Sequence, residues 1–523
     1  MSHLLHYYQR PEPATWVFLS SFLLLGIYFV FHRFFSVRNL DILLLLALAP
    51  GLMMVYEGRR MQLAGQTETI ATEELATQHS PIAGLPLADA QPSRVHPVSI
   101  AQPVSIVHPV STAQPVSIAQ AAPQQQQPAA VAQRAAVSGG EGPVFLDNES
   151  PSNYPQPSTS PNKWSAEGLE FAGFAALLLA CLLLMIRMLI DPALVRRPLL
   201  VPNLSIGGLS FIGGSLFLFL MANVITSTPR EQHERGPRLG PGYALLNMLP
   251  ELPTTPDKVA VEKFDGAAQS SAPWLPNVAR ILAILSNLAI LLGIVGVGYW
   301  HFDNVKTGIG CAVMYLLLPY TAQMTGNLEH IVPAALLVLA LLAYRQPVLS
   351  GILLGLAAGL VYYPLFLLPL WISFYWHRGL KRLLIGVSSS LVMLSGLLLL
   401  EGAEAFGDHL RWMYGMWLPR MDGLEGIWGP GRIPPDFRLP VLVAFILLSC
   451  SFVFWPSRKN LGTLICGTAA IMLAAQFWHG NGGGLFMAWF LPFVMLTIFR
   501  PNLDDRIATH VVRLPRAKPK PAA

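Results

Sequence analysis

The chain is a succession of apolar runs separated by short polar segments. The runs cover 16–31, 41–56, 168–187, 205–226, 278–298, 308–323, 331–344, 348–361, 364–376, 382–400, 439–455, 461–477 and 484–499. Only helices and closed barrels satisfy their backbone in lipid, and runs of this kind predict helices. The expected fold is therefore all-α: a polytopic integral membrane bundle of 11–13 transmembrane helices. Several runs are short. As a helix, 331–344 reaches roughly 21 Å at 1.5 Å per residue, against a hydrocarbon core of roughly 30 Å. Such segments borrow from their flanks, thin the bilayer, or stop at a cavity inside the protein. Segment 347–376 is too long for one span and contains Pro364 and Pro369. A residue before proline is biased away from helix, so two short helices are expected, with a turn at Tyr362-Tyr363-Pro364.

Composition agrees. The 523 residues are 53% hydrophobic and 12% charged, about half the charge of a soluble domain. The net charge of +5 does not indicate nucleic acid. The basic residues flank apolar runs and form no stripe with interleaved aromatics, so the expected partners are membrane lipids. Cys181, Cys311, Cys450 and Cys466 lie in or beside apolar segments, contain no CxxC, and read as small packing residues. The first run is followed by Arg33 and Arg38 and not by a small-residue cleavage site, so it reads as a retained span.

The short loops set an orientation. Arg33/Arg38, Arg187/Arg196/Arg197, Lys306, Arg345, Arg378/Lys381/Arg382, Arg458/Lys459 and the tail with Arg513, Arg516, Lys518 and Lys520 share one side. By the positive-inside rule that side is cytoplasmic, with the N-terminus outside and the C-terminus inside. Arg59/Arg60 and Arg230/Arg235/Arg238 fall on the opposite side.

Residues 57–165 are different material. Pro97, Pro103, Pro109 and Pro115 each open a Pro-Val-Ser in a six-residue repeat, and a glutamine run, 124–127, follows. Repeated proline blocks helix, and nothing here can bury a core, so a disordered, partly polyproline-like linker of low complexity is expected. It divides the chain into a two-helix membrane segment (1–56), the linker (57–165), a larger transmembrane bundle (166–500) and a basic tail (501–523).

No Walker loop, HExxH or paired CxxC is present. Candidate chemistry lies in two large outer loops. Loop 227–277 carries Glu234 and Asp257 among its acids, and an apolar patch, 243–249, suited to the interface. Loop 401–437 interleaves Arg411, Arg420 and Arg432 with Trp412, Tyr414, Trp417 and Trp428. Aromatic faces suit the C–H surfaces of sugars, arginine forks suit phosphate, and a carboxylate can take a proton from an attacking hydroxyl. The plainer reading of the aromatics is an interfacial belt. Glu329 and His330 sit in a very short loop, where an ionisable group near membrane depth is a functional candidate.

The stretch Gly326-Asn327-Leu328-Glu329-His330, the run to Tyr344-Arg345, and the glycine-spaced Gly351, Gly355 and Gly359 leading to Tyr362-Tyr363-Pro364 resemble the membrane-embedded GT-C glycosyltransferases. Nearest are bacterial mannosyltransferase-like members that use polyprenyl-phosphate sugars. The resemblance covers roughly residues 205–400. It implies a hexosyltransferase of a bacterial inner membrane, with Glu234 or Asp257 as general base. Arg411 and Arg420 would hold phosphate, Trp412 and Trp417 would line the sugar site, and Glu329 and His330 would contact substrate. It leaves the cofactor unknown, with a divalent metal open. Two departures stand out. The family's acid soon after the outward span is represented here by Glu231 and Glu234, and its lysine before the proline turn is Val361. A transporter or flippase, and a non-catalytic scaffold reaching an envelope partner through the linker, are the alternatives.

Overall fold

The computed structural model describes residues 11–78, 165–194, 200–230, 240–256, 272–399, 423–480 and 485–511. The chain divides into two units, 1–72 with 163–523, and 73–162. Most of the second, and the expected linker from 79 to 164, lie outside the described residues.

The described residues form an all-α membrane protein. Its helices are α1 (Pro13–Tyr28), α2 (Val37–Leu46), α3 (Leu48–Gln78), α4 (Ala166–Ile190), α5 (Ile206–Ile225), α6 (Tyr243–Asn247), α7 (Leu275–Trp300) and α8 (Val305–Leu317). There follow α9 (Pro319–Gln323), α10 (Leu328–Leu342), α11 (Pro347–Leu360), α12 (Leu368–Tyr375), α13 (Leu380–Leu398), α14 (Arg438–Ser451), α15 (Leu461–Trp478) and α16 (Leu491–Phe499). Six helical stretches are long and apolar enough to cross a membrane, and six shorter apolar ones accompany them. Two-residue strands, β1 (Arg506–Ile507) and β2 (His510–Val511), pair antiparallel after the last helix.

Local sequence explains the boundaries. Ser36, Ser165, Ser205, Asn304 and Asn460 each accept a hydrogen bond from a first-turn N–H of the helix they precede, the usual service of an N-cap. α3 runs on to Gln78, past the expected boundary at 56. Residues 57–78 contain no proline and are rich in Glu, Gln, Arg, Met and Ala, all adequate helix formers. The prolines that break helix begin only at Pro81.

α15 is apolar on every side and buried along almost its whole length, which makes it the bundle's central helix. It packs on α4, α14 and α16. Glycines let other helices approach closely. A Cβ on Gly173 of α4 would lie 2.7 Å from the backbone nitrogen of Val55 on α3. Where α11 meets α13, a Cβ on Gly351 would strike the carbonyl of Leu383, and one on Gly386 the carbonyl of Val348.

Contacts between loops sort them into two sets, as alternating traverses require. One set holds the basic flanks found in the sequence. There Arg506 pairs with Asp303, Arg378 with His510, and Asn460 Nδ2 donates to Asp504 at 3.0 Å. Asn203 N donates to Ile27 O, and Arg38 donates to the carbonyls of Tyr28 and Val201. A buried ion network lies at this end. Arg187 grips Asp41 with Nε and a terminal nitrogen at 2.7 and 3.0 Å, and reaches Asp191 at 3.0 Å. Arg500 closes the network onto Asp191 at 2.5 Å. Two cations face two carboxylates, drawn from α2, α4 and the segment after α16. The other set gathers the start of α4, the described parts of the two long loops expected on the outer side and the turn before α10.

Two predictions follow from this packing. Gly386→Val should destabilise the detergent-solubilised protein by about 1–3 kcal/mol through overpacking. Gly396→Ala on the same helix, with no neighbour within 4 Å, should be neutral or stabilise by roughly 0.5 kcal/mol; equal effects on thermal unfolding would contradict the α11–α13 contact. Arg187→Met should cost about 3–5 kcal/mol by stranding buried carboxylate charge, and Asp41→Asn in the same chain should recover part of that loss.

Candidate functional site

The second set of loops surrounds a place where several helices stop. α8 ends as Leu318 turns extended (φ −65°, ψ 132°), because a residue before proline, here Pro319, avoids the helical region. The apolar run expected at 308–323 is thereby split into α8 and α9. α11 ends at an extended Val361 (φ −139°, ψ 117°), followed by a 3-10 turn over Tyr363–Leu367 and then α12, so the expected break at 362–364 is present. α15 ends at an extended His479 (φ −65°, ψ 128°). Within α10, Pro333 lacks the N–H that would bond the carbonyl of Glu329. The indole of Trp489 takes that carbonyl instead, at 3.2 Å.

These breaks bring two tyrosine–histidine pairs together. The hydroxyl of Tyr320 and Nδ1 of His330 share a hydrogen bond at 2.5 Å. The hydroxyl of Tyr363 and Nδ1 of His479 share another. The Phe486 ring lies against both imidazoles, with centroids 4.1 Å from His330 and 4.3 Å from His479. Trp489 stacks on Phe486 at 4.4 Å, and Trp478 and Tyr362 flank Tyr363. His330 and His479 are both buried.

Glu329 is in the first turn of α10, where the helix dipole favours an acid. Its side chain remains 31% exposed and lies 3.7 Å from His330 Nε2. Tyr243 donates its hydroxyl to the Glu329 carboxylate at 3.1 Å. Burial, and then the nearby Glu329 carboxylate, push the Tyr243 phenol well above its usual range, so it remains a donor.

The described parts of both outer loops end here. In the first loop, Arg230 and Glu251 exchange backbone hydrogen bonds at 3.0 and 2.8 Å. Gly242 N donates to Gly359 O at 2.8 Å, and Thr254 Oγ1 accepts from Gly326 N at 2.8 Å. The apolar patch at 243–249 forms the short helix α6, with Leu246 buried and Leu245 and Met248 exposed. In the second loop, Glu425 N donates to Gly480 O at 3.0 Å and Trp428 Nε1 to Phe477 O at 3.0 Å. Arg438 donates Nε and a terminal nitrogen to Trp478 O at 3.1 and 2.9 Å. Arg432 bonds Gly426 O and pairs with Glu170, which Arg59 also holds at 3.0 Å.

Of the residues singled out in the sequence, Glu329 and His330 are therefore neighbours in this cluster. Glu234, Asp257, Arg411, Trp412, Trp417 and Arg420 lie outside the described residues. Sequence reading passed over Tyr320, Tyr363, Phe486 and Trp489 as site residues. Their signal was proximity to Pro319, Pro364 and Pro492 within apolar runs. Among the described residues, no group of three or more His, Cys, Asp or Glu is placed to hold a metal ion. Comparison with protein-family models, curated proteins and solved structures finds no match to the chain.

Burial, then the positive Arg438 and then His330, hold the His479 imidazole well below its ordinary range. The folded protein keeps it neutral, whereas the unfolded chain protonates it below about pH 6.5. Stability should therefore fall as pH drops below about 6.5, by up to about 1.4 kcal/mol per pH unit from this group. His479→Gln should remove that component of the melting profile measured between pH 7.5 and 5. An unchanged profile in the variant would refute the assignment.

Proposed function

We propose that this chain is a membrane glycosyltransferase of GT-C type, moving a sugar from a polyprenyl-phosphate donor to an acceptor on the non-cytoplasmic face. The observation that carries the reading is convergence. The first long loop meets the Glu329–His330 turn and the second meets the end of α15, and one cluster of aromatic rings joins the two places where helices break. Irregular backbone at membrane depth is tolerated only where protein buries it or a cavity needs it. A helical bundle has no structural need to gather three such helix ends and an internal proline in one place.

The roles follow from chemistry. The acceptor hydroxyl oxygen bonds to the sugar's anomeric carbon as the bond from that carbon to the phosphate oxygen breaks. The electron pair leaves with polyprenyl phosphate, and the hydroxyl proton passes to a carboxylate, Glu234 or Asp257. Arg411 and Arg420 neutralise the phosphate, and Trp412 and Trp417 pack on the sugar. Glu329 and His330 accept hydrogen bonds from, or donate them to, donor hydroxyls. The basic loop set supports a cytoplasmic C-terminus in a bacterial inner membrane. Arg59, one of the exceptions to that pattern, is countered by Glu170.

The test is turnover. Purified protein is incubated with radiolabelled polyprenyl-phosphate hexoses and membrane-derived acceptors. Wild type should transfer label. Glu234→Gln or Asp257→Asn, whichever removes the base, should lower kcat by about 10²–10⁴, and Glu329→Gln should raise KM for the donor. Absence of transfer with every donor, together with unaltered envelope glycans in a deletion strain, would overturn the proposal.

A further inference from the structure

Two adjacent residues at the end of α15 each bury a polar atom that has no hydrogen-bond partner among the described residues: Trp478 Nε1 and His479 Nε2. Both residues are 1% exposed. One ring touches both, since the Tyr363 centroid lies 5.1 Å from Trp478 and 4.6 Å from His479. Phe486 and Trp489 lie 4.3 and 5.7 Å from the His479 imidazole.

Nearby polar groups have tasks. Gln476 Oε1 accepts from Phe486 N at 2.6 Å, Trp489 Nε1 serves Glu329 O, and Arg438 serves Trp478 O. Trp478 and His479 contribute rings to the packing, but their outer nitrogens serve nothing described. Phenylalanine at 478 would supply a ring without an unpaired buried nitrogen, and Tyr363 uses only Nδ1 of the imidazole at 479; each unpaired buried polar atom costs about 1–3 kcal/mol. Tyr363 meanwhile holds His479 by Nδ1, which fixes the plane of the imidazole and so the direction of Nε2.

We infer that Trp478 Nε1 and His479 Nε2 are hydrogen-bonding positions for the hydroxyl groups of a bound hexose, whose C–H face packs on the surrounding rings. This rests on the transferase reading for the identity of the ligand. It adds specificity-determining residues that neither the outer loops nor the resemblance assigned. The ligand class follows from two demands met together: polar atoms that pair with hydroxyls, and aromatic faces that accept an apolar ring surface.

The experiment titrates intact, detergent-solubilised protein with short-chain polyprenyl phosphate mannose, polyprenyl phosphate glucose and bare polyprenyl phosphate, reading tryptophan fluorescence. Wild type should bind one sugar-bearing lipid more tightly than the bare lipid. His479→Phe should erase that preference, a loss of about fivefold or more in Kd for the sugar lipid. His479→Gln, which keeps a donor and an acceptor at similar reach, should retain most of it. In parallel, a photoreactive analogue of the preferred sugar lipid is cross-linked to wild type and mapped by mass spectrometry. This arm stands even if the phenylalanine variant fails to fold. Label on Tyr363, Trp478 or His479 supports the inference. Label confined to other segments, no preference for sugar over bare lipid, or an unchanged preference in His479→Phe overturns it. Transfer activity that survives in His479→Phe with unchanged KM sinks this inference and leaves the transferase reading standing. Sugar binding at the cluster without turnover of any donor does the reverse.

Discussion

Every peptide group inside a bilayer must find its hydrogen-bond partner within the protein, and this molecule breaks its helices repeatedly within apolar sequence. Each break frees carbonyls and N–H groups that no neighbouring turn can satisfy. Polar side chains from other helices answer many of them. Asn287 on α7 donates to Thr325 O at 3.1 Å, beside the turn that starts α10. The Tyr375 hydroxyl serves Tyr344 O, just past the end of α10, at 2.5 Å. Trp489 takes the carbonyl freed by Pro333, and Gln476 takes the N–H of Phe486. Once the backbone is broken for any reason, the polar residues of the core are dictated by where it is broken.

This constraint also sorts the polar residues. A bundle of apolar helices keeps few polar groups, and most of those at the breaks serve backbone. The tyrosine–histidine pairs also bond each other. Tyr320 bonds His330 and Tyr363 bonds His479, side chain to side chain. Glu329 and Tyr243 likewise face each other. The backbone requires none of these three pairs. They sit where the first outer loop is stitched to α11 through Gly242 and Gly359, and the second to α15 through Glu425 and Gly480. Side chains that pair with one another gather where both loops meet the helix ends.

Much of this was readable in the sequence, for identifiable reasons. Apolar runs delimit spans because lipid permits nothing else, so each of the expected runs corresponds to helix. The break at Tyr362-Tyr363-Pro364 was legible from proline's geometry. Pro319 carries the same signal, yet the run 308–323 reads as continuous because its flanks are uniformly apolar. Glu329 and His330 stood out as ionisable residues in an apolar context. Tyr320 and Tyr363 did not, because tyrosine is ordinary near a membrane surface, and for Tyr363 the partner also lies far along the chain, His479 being 116 residues away. The ion network of Asp41, Arg187, Asp191 and Arg500 was hidden similarly. Sequence reads Arg187 as a basic flank, and the packing of α2 against α4 makes it the partner of Asp41.

The two segments that precede the linker take part in the same architecture. A view of them as an anchor requires only apolar helices. Their polar residues instead reach across the bundle at both ends. At the basic end, Asp41 completes the charge balance of Arg187, and the Tyr28 hydroxyl satisfies Gly310. At the other end, Arg59 shares Glu170 with Arg432, and both guanidinium groups lie 5.7 Å from the Phe174 ring centroid. Glu170 therefore fastens the second outer loop to helices on both sides of the linker. A single cation would neutralise that carboxylate; the second couples loop and helix through one shared charge. Losing Arg59 would leave Arg432 paired, whereas losing Glu170 would take the shared carboxylate from both cations at once. The position of the loop carrying Trp428 and Arg432 thus depends on a carboxylate in the first turns of α4, and through it on α3.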